Sequence, residues 1–402
     1  MKTLNHSKAH IISQPTLFSS AVPTQSCTEP LRGSIKRILM AAGLATAVAA
    51  PAWATQLPDV ADSSNTGVAS VLAGQDADGA VDPESVAKAN WRTFMRQNST
   101  PSKGCFHASY PNIFWEMVEC KTGQPRAHPV YVKPTDPEAE VTGNGNDYVA
   151  KAKGLITMAI GTFHIKGVTS EKSVGVAAFD DDGTLGSNEY TVQINTNGGS
   201  TTKACASPWY GEPGGSSGCH VWQQFVYATD YISSGEAAVF MQYWLLDWGD
   251  SGCPSGWNSS GKNCWMNSSL TSAPDVPPKD LGKVELTAAV SAGGDDSVNF
   301  AYDGEIYYTD EWDSFLDISS VWNKAEFNVV GDGGGSRAVF NKGSSITGRL
   351  ELVDGSYSAP TCVANGGTTG ETNNLNLGKC ATYSAVFGGI DGRPGIQFTE
   401  SN

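Results

Sequence analysis

Short stretches of alternating hydrophobic and polar residues dominate the chain from Gly154 onward, and glycine, asparagine, aspartate and serine separate them. Alternation with a period of two predicts strands with one buried face. Many short strands joined by such turns are typical of an all-β sandwich or barrel. The sequence lacks the alternation of strands and helices that would indicate a doubly wound sheet. The predicted strands cover residues 155–160, 174–179, 190–195, 221–228, 237–246, 283–290, 298–301, 305–308, 325–330, 337–340, 346–353 and 396–399.

Two of these segments have distinct patterns. Residues 190–195 alternate strictly, so we expect one face of this strand to be buried and the other to be wet. Residues 236–246 are more continuously apolar. This predicts a central strand that is buried on both faces.

One helix is predicted ahead of the strands. Asp82 is a suitable N-cap, Pro83 suits the first helical position, and Glu84 places an acid in the first turn. The predicted helix covers 83–97 and ends before Pro101.

An export signal is predicted upstream of this helix. A basic segment at 32–37 precedes an apolar run at 38–50, and Ala52-Trp53-Ala54 is a small-x-small cleavage signature. The apolar run is short of the roughly 20 residues that span a membrane. We therefore expect cleavage after Ala54, no membrane span, and a secreted protein, either extracellular or periplasmic.

The chain then divides into three parts. Residues 1–54 are the leader and signal peptide, 55–100 are a linker or pro-segment with one helix, and 101–402 are a disulfide-stapled β-domain.

Eight of the nine cysteines follow the expected cleavage site. An even number of cysteines in an exported chain indicates disulfides. Eight cysteines allow about 105 pairings, and we expect neighbours to pair because each neighbouring pair spans one loop rich in glycine, serine or proline. The expected bridges are Cys105–Cys120, Cys205–Cys219, Cys253–Cys264 and Cys362–Cys380.

The charge balance limits the possible partners. The whole chain has 26 Lys and Arg and 41 Asp and Glu, a formal net charge of −15. Removal of 1–54 takes away five basic residues and one acid, so the charge becomes 21 − 40 = −19. A surface this acidic repels phosphate backbones and argues against nucleic-acid binding. It suits a soluble protein or one that works at acid pH.

Motifs for several common chemistries are missing. No Gly-x-Ser-x-Gly elbow is present, and the histidines lack metal-ligand spacing. The acidic stretches at 76–79 and 180–183 do not complete a calcium loop and are interpreted as turns. We therefore expect neither a metal nor a cofactor.

Tryptophan and glutamine residues are concentrated in the middle of the chain. Trp222 and Gln224 share one face of a strand, and Gln242 and Trp244 share one face of the next. Core packing with satisfied amides is one interpretation. The other is a groove, lined by Trp209, Trp222, Gln242 and Trp244, that binds an extended peptide or a glycan.

Three runs, 219–227, 241–245 and 326–335, resemble a family of secreted bacterial proteins of uncharacterised function. The region 154–355 also resembles, more distantly, the glutamic peptidases (eqolisins). A cysteine precedes Gln224 as one precedes that family's catalytic glutamine, and Ala325-Glu326-Phe327 is similar to the start of the strand that carries its catalytic glutamate.

The second resemblance implies a concanavalin-like sandwich of two antiparallel β-sheets. It also implies hydrolysis of peptide bonds at acid pH, with a glutamine and a glutamate that activate water. Gln224 matches the glutamine, but Val330 stands where the family has its glutamate. Glu326 or Asp332 would then supply the carboxylate.

Two hypotheses follow for function. The first is a secreted acid endopeptidase of glutamic type that uses Gln224 with Glu326 or Asp332. The second is an extracellular module that binds glycans or cell surfaces without catalysis. Whether the protein is an enzyme is open at this point.

Overall fold

The computed structural model describes residues 82–98, 100, 102–122, 148–174, 186–199, 203–206, 215–250, 252–333, 335–364, 369–385 and 392–402. All of them belong to one compact unit, Gly67–Asn402. The expected signal peptide, the acidic turn at 180–183 and Trp209 lie outside the described residues.

The first of two large sheets is antiparallel throughout and has the strand order β2-β1-β14-β13-β12-β4-β17-β21-β20. Its strands are β1 (Cys105–Ser109), β2 (Glu116–Val118), β4 (Met158–Lys166), β12 (Glu285–Ala289), β13 (Asp295–Tyr302), β14 (Glu305–Trp312), β17 (Ser345–Val353), β20 (Asn376–Tyr383) and β21 (Gly395–Ser401).

The second large sheet has the order β18-β3-β15-β6-β7-β8-β10-β9. Strand β11 lies outside this order and pairs with a different part of β8 from β10. Its strands are β3 (Tyr148–Lys151), β6 (Tyr190–Thr196), β7 (His220–Ser233), β8 (Glu236–Leu246), β9 (Asn258–Ser260), β10 (Asn263–Asn267), β11 (Thr271–Pro274), β15 (Lys324–Gly331) and β18 (Thr361–Ala364).

A small third sheet has the order β19-β16-β5 and contains one parallel pair. Its strands are β5 (Glu171–Val174), β16 (Arg337–Phe340) and β19 (Thr372–Asn373). The helical elements are α1 (Pro83–Gln97), α2 (Lys203–Ala206) and the 3₁₀ helices Pro278–Lys283, Asp313–Phe315 and Ile318–Ser320.

The predicted helix is confirmed as α1, and Asp82 caps it by accepting hydrogen bonds from the backbone N–H groups of Glu84 and Ser85. These bonds satisfy donors that a helix start otherwise leaves unpaired. On its buried side, Trp91 and Met95 belong to a cluster with Ala108, Ala301 and Ile306 of the first sheet. Helix α1 therefore packs on the first sheet.

The two large sheets form the predicted β-sandwich around one main core. Aromatic pairs bridge the sheets, with ring centroids 3.8 Å apart for Tyr227 and Phe300 and 4.4 Å apart for Phe163 and Phe327. Beside the second pair, a Cβ added to Gly161 of β4 would lie 2.3 Å from the Phe327 ring. Glycine at 161 therefore permits this close approach of the sheets.

Most predicted strands are present, and β8 is the expected central strand between β7, β10 and β11. Only Val174 of the predicted strand 174–179 is described, at the end of β5. The prediction of a wet face on residues 190–195 is wrong, because every residue of β6 is buried. Its polar side chains pair with other buried polar groups instead of with water.

All four expected disulfides are present, and each joins a cysteine to the next cysteine along the chain. The Cys362–Cys380 bridge joins β18 of the second sheet to β20 of the first. Within the described ranges, no helix is long and apolar enough to cross a membrane.

Candidate functional site

A row of polar residues crosses five strands of the second sheet on the face that points away from the first sheet. Antiparallel pairing places the members directly opposite one another, so their side chains share this outer face. The row, called the amide row below, runs in strand order β15, β6, β7, β8, β10 through Glu326, Asn195, Gln224, Gln242 and Asn267.

Apolar clusters flank the amide row on both sides. On one side Trp222, Trp244 and Trp265 form a stripe, with neighbouring ring centroids 6.1 and 5.9 Å apart. The cluster on the other side consists of Val226, Ala228, Tyr231, Ala238, Phe240 and Leu270. The prediction that Trp222 and Gln224 share a face with Gln242 and Trp244 is confirmed.

The row and the stripe are deeply buried, except for the partly buried Asn267 at one end. Gln224, Gln242, Glu326 and Trp244 are 0 % exposed. Buried amides are costly unless they are hydrogen-bonded, and these amides bond mainly to one another. The expected open groove is therefore a closed layer in this structure.

Gln224 is held from two sides. Trp244 Nε1 donates to Gln224 Oε1 at 3.0 Å, and Gln224 Nε2 donates to Gln193 Oε1 at 3.0 Å. Trp244 Nε1 also donates to Gln242 Oε1 at 3.1 Å, and Gln242 Nε2 donates to Asn267 Oδ1 at 2.7 Å. The amides of four strands, β6, β7, β8 and β10, are thus joined in one chain of hydrogen bonds.

A carboxylate that the sequence did not indicate completes this chain. Gln193 Nε2 donates to Glu371 and, at 2.8 Å, to Thr191 Oγ1. Glu371 is buried and lies just before β19, in the segment that the Cys362–Cys380 disulfide closes. In this chain of hydrogen bonds, the Gln193 amide therefore links Glu371 to Gln224.

A second carboxyl cluster lies near Glu326. Glu400 of β21 accepts from Asn328 Nδ2 at 3.0 Å and from Asn373 Nδ2 at 2.8 Å. Burial raises the pKa of Glu400 to about 7, the two amides oppose this rise, and the charge of Glu326 adds to it. The chain thus holds a carboxyl that is protonated under acid conditions beside the Glu326 end of the row.

The point between Gln224 and Glu326 has unused hydrogen-bonding capacity. Asn195 stands there, and its buried Oδ1 has no hydrogen-bond partner among the described residues. Its Nδ2 donates to Gln193 Oε1 at 3.2 Å. Gln224 uses one N–H for Gln193 and keeps a second. A buried acceptor on Asn195 therefore lies between the Gln224 amide on β7 and the Glu326 carboxyl on β15.

The predicted carboxylates are placed differently. Glu326 lies two strands from Gln224, about 10 Å at a strand spacing of about 4.8 Å, so both side chains can reach a group held between them. Asp332 follows the end of β15, six residues beyond Glu326 and about 20 Å along the strand direction. The structure therefore does not bring Asp332 to Gln224. Val330 stands opposite Thr191, outside the row.

Among the predicted substrate-binding residues, Trp222, Gln242 and Trp244 lie on the outer face, and Trp209 lies outside the described residues. Trp222 Nε1 donates to the backbone oxygen of Thr196 at 2.9 Å. The sequence indicated Gln193 only as one of the amides near the tryptophans, and the prediction missed Asn195, Asn267, Glu371 and Glu400. The alternation of β6 was the available signal for Gln193 and Asn195, whereas Glu371 and Glu400 belong to distant segments with no recognisable pattern.

A cavity borders the far end of the row. Its volume is about 370 Å³, and Asn267, Ser268, Lys121 and Glu311 are among its lining residues. Burial raises the pKa of Glu311. No group of three or more His, Cys, Asp or Glu side chains in the described part of the chain is arranged to hold a metal ion.

Comparisons with known proteins give one structural neighbour. No protein-family model matches the chain, and no curated protein matches it. A crystal structure of scytalido-glutamic peptidase with a transition state analog inhibitor is similar, with a TM-score of 0.32 and 8 % sequence identity. The match covers 64 % of this chain and 97 % of that one. Values this low establish neither membership of that family nor its activity.

Proposed function

We propose that the protein is an exported hydrolase that cleaves extended peptides at acid pH with Gln224, Asn195 and Glu326. The observation that carries the proposal is the amide row itself. On three successive strands of one sheet face it lines up the Gln224 amide with a second N–H, the Asn195 amide, whose buried oxygen has no hydrogen-bond partner among the described residues, and the Glu326 carboxyl. Such a set can hold one water molecule and one substrate carbonyl without a metal.

The chemistry proceeds in two proton transfers. Asn195 Oδ1 accepts a hydrogen bond from one O–H of the water, and Glu326 takes the proton of the other O–H as the water oxygen attacks the carbonyl carbon. The Gln224 N–H stabilises the oxyanion that forms. Glu326 then gives its proton to the leaving nitrogen as the carbon–nitrogen bond breaks, which restores the carboxylate.

Substrate access requires a change of structure, since the row is closed. The segment Thr369–Asn373 covers part of the outer face through the contact of Glu371 with Gln193. A peptide that reaches Gln224 with this segment in place must therefore pass along the row from the cavity at Asn267. The tryptophan stripe and the opposite apolar cluster would then contact the substrate side chains.

Acid conditions and export fit other features. Burial raises the pKa of Glu400 to about 7 and of Glu171 to about 8, so protonation of these carboxyls stabilises the folded state at low pH. Four disulfides are compatible with an oxidising compartment. Cleavage after Ala54, a linker or pro-segment at 55–100 and a domain at 101–402 remain part of the proposal.

Hydrolysis of casein and of labelled peptides by the purified, oxidised protein between pH 2 and pH 7, with pepstatin present, tests the function. We expect cleavage in the acid range and a loss of about 10²-fold or more in kcat/KM for Glu326→Gln and for Gln224→Leu. Glu116→Gln, at an exposed position of β2, is the matched control. Folded protein without cleavage at any pH, or a fully active Glu326→Gln variant, would contradict the proposal.

The tryptophan stripe supports a second candidate function, a glycan-binding module without catalysis. Trp222, Trp244 and Trp265 lie beside amides, a combination that suits sugar rings. These rings are buried, so binding again needs an opened face. A glycan array read together with tryptophan fluorescence separates the candidates, since binding without hydrolysis would favour the module and an inert array would reject it.

A further inference from the structure

The hydrogen-bond chain around Gln224 has a fixed direction at its Trp244 end. An indole N–H can only donate, so each glutamine that meets Trp244 Nε1 must turn its oxygen toward it. Both Gln224 and Gln242 do so. Gln224 consequently directs its Nε2 group toward Gln193.

The other end of the chain imposes the same direction. Gln193 turns its Nε2 toward the Glu371 carboxyl, which accepts, and its Oε1 toward Gln224. Thr191 supports this orientation, because its hydroxyl donates to the backbone oxygen of Gly331 at 3.0 Å and accepts from Gln193. With Gln193 fixed, a flipped Gln224 would set oxygen against oxygen at Gln193 and N–H against N–H at Trp244.

We propose that Glu371 is a positioning residue that sets the orientation of the Gln224 amide through Gln193. The inference rests on the proposed function for its catalytic consequence. A fixed Gln224 keeps its second N–H available to the substrate carbonyl at no cost of reorganisation during the reaction. A glutamate at 371 offers an oxygen to Gln193 Nε2 and, unlike a glutamine in its place, has no N–H that could face it.

The position of Glu371 in the fold fits this task. Its neighbour in sequence, Thr372, pairs with Arg337 in the small third sheet. Asn373 Nδ2 bonds to the backbone oxygen of Val329 and to Glu400. The two residues that follow Glu371 are therefore each anchored, Thr372 in the third sheet and Asn373 on Val329 and Glu400. The Glu371 carboxyl is thus held over β6 and not carried by a loose loop.

NMR on the oxidised protein with ¹⁵N-labelled tryptophan and glutamine tests the inference without any need for activity. We expect Glu371→Leu to shift the Trp244 indole and Gln224 side-chain amide resonances and to speed hydrogen exchange at the indole by about 10-fold or more. We expect Glu371→Gln, which can offer either N–H or oxygen, to double the Gln193 amide signals. Glu116→Gln is the control and should leave these signals unchanged.

Kinetics provides the second measurement. If peptides are cleaved, Glu371→Leu should lower kcat by about 10-fold or more and leave KM within about 2-fold, as the substrate does not touch Glu371. Altered resonances in a chain that hydrolyses nothing would support the orientation and reject the proposed function. Unchanged Trp244 and Gln224 resonances in both variants, even with a lower melting temperature, would overturn the inference. The Glu371→Gln variant retains an acceptor at 371 and serves if Glu371→Leu does not fold.

Discussion

Replacement of Glu171 by glutamine would reveal how buried carboxyls couple the stability of this protein to pH. Glu171 lies on β5 and is 4 % exposed. Its Oε1 accepts from Ser173 Oγ at 2.8 Å, and its Oε2 has no hydrogen-bond partner among the described residues. Burial raises the pKa of Glu171 from 4.5 to about 8, and the hydrogen bond from Ser173 opposes the rise.

The sign and size of the effect follow from this pKa. The folded state holds the Glu171 proton more tightly than the unfolded state, so its contribution is complete below pH 4.5 and is lost as the pH rises to about 8. One pKa unit corresponds to about 1.4 kcal/mol. The shift therefore corresponds to at most about 5 kcal/mol, and local relaxation around the ionised side chain reduces it.

Urea unfolding between pH 4 and pH 9, with the disulfides intact, measures the effect. Glutamine has the shape of the protonated side chain and does not titrate. We expect Glu171→Gln to match the wild type at pH 4 and to be more stable at pH 8 by several kcal/mol. The wild type should lose stability across this range, as Glu400 and Asp275, each with a pKa raised to about 7 by burial, act in the same direction.

Glu116→Gln again serves as the control, since its side chain is exposed and should leave the pH profile of unfolding unchanged. Parallel profiles for the wild type and Glu171→Gln would refute the assignment of the pH dependence to Glu171. A Glu171→Gln variant that is less stable at every pH would show that packing, not protonation, dominates at this site.

Two further predictions concern the scaffold. Gly161→Ala should lower the free energy of unfolding by about 1–3 kcal/mol, the usual cost of overpacking, because its Cβ would lie 2.3 Å from the Phe327 ring. Gly218→Ala is the control, since the nearest atom to its added Cβ would be 3.7 Å away. Equal losses of stability for the two variants in urea titrations would contradict the explanation by close approach. Removal of the Cys253–Cys264 bridge by a double serine replacement should cost about 3 kcal/mol in the chain-entropy model, and an unchanged melting temperature in calorimetry would show that this bridge does not restrain the unfolded chain.

Local patterns were sufficient for most of the framework. The cap at Asp82 and the proline that follows it located α1, because helix starts depend on adjacent residues. Alternation located the long strands of both sheets, since a strand must separate its two faces. Close spacing was enough to pair the cysteines. The strands β1–β3, β9–β11 and β18–β20 were missed, because most are short and several lie within or beside the disulfide loops.

The candidate site was only partly readable in the same way. Alternation on β7 and β8 correctly placed Gln224 and Gln242 on one face with two tryptophans. It could not show that the polar face of β6 would be buried, because this depends on which strands lie beside it. Register brought Asn195 between Gln224 and Glu326 and left Asp332 about 20 Å away along the strand.

The sequence by itself determined many of the strands, the helix start and the disulfides, because each depends on residues close together in the chain, and it determined the acidic charge, which is a sum over all residues. The tertiary structure decided which polar groups meet. Glu371 reaches Gln193 across 178 positions of sequence, and Glu400 reaches Asn328 across 72. Such meetings depend on the stacking of two sheets and on their register, and no local pattern of residues encodes either.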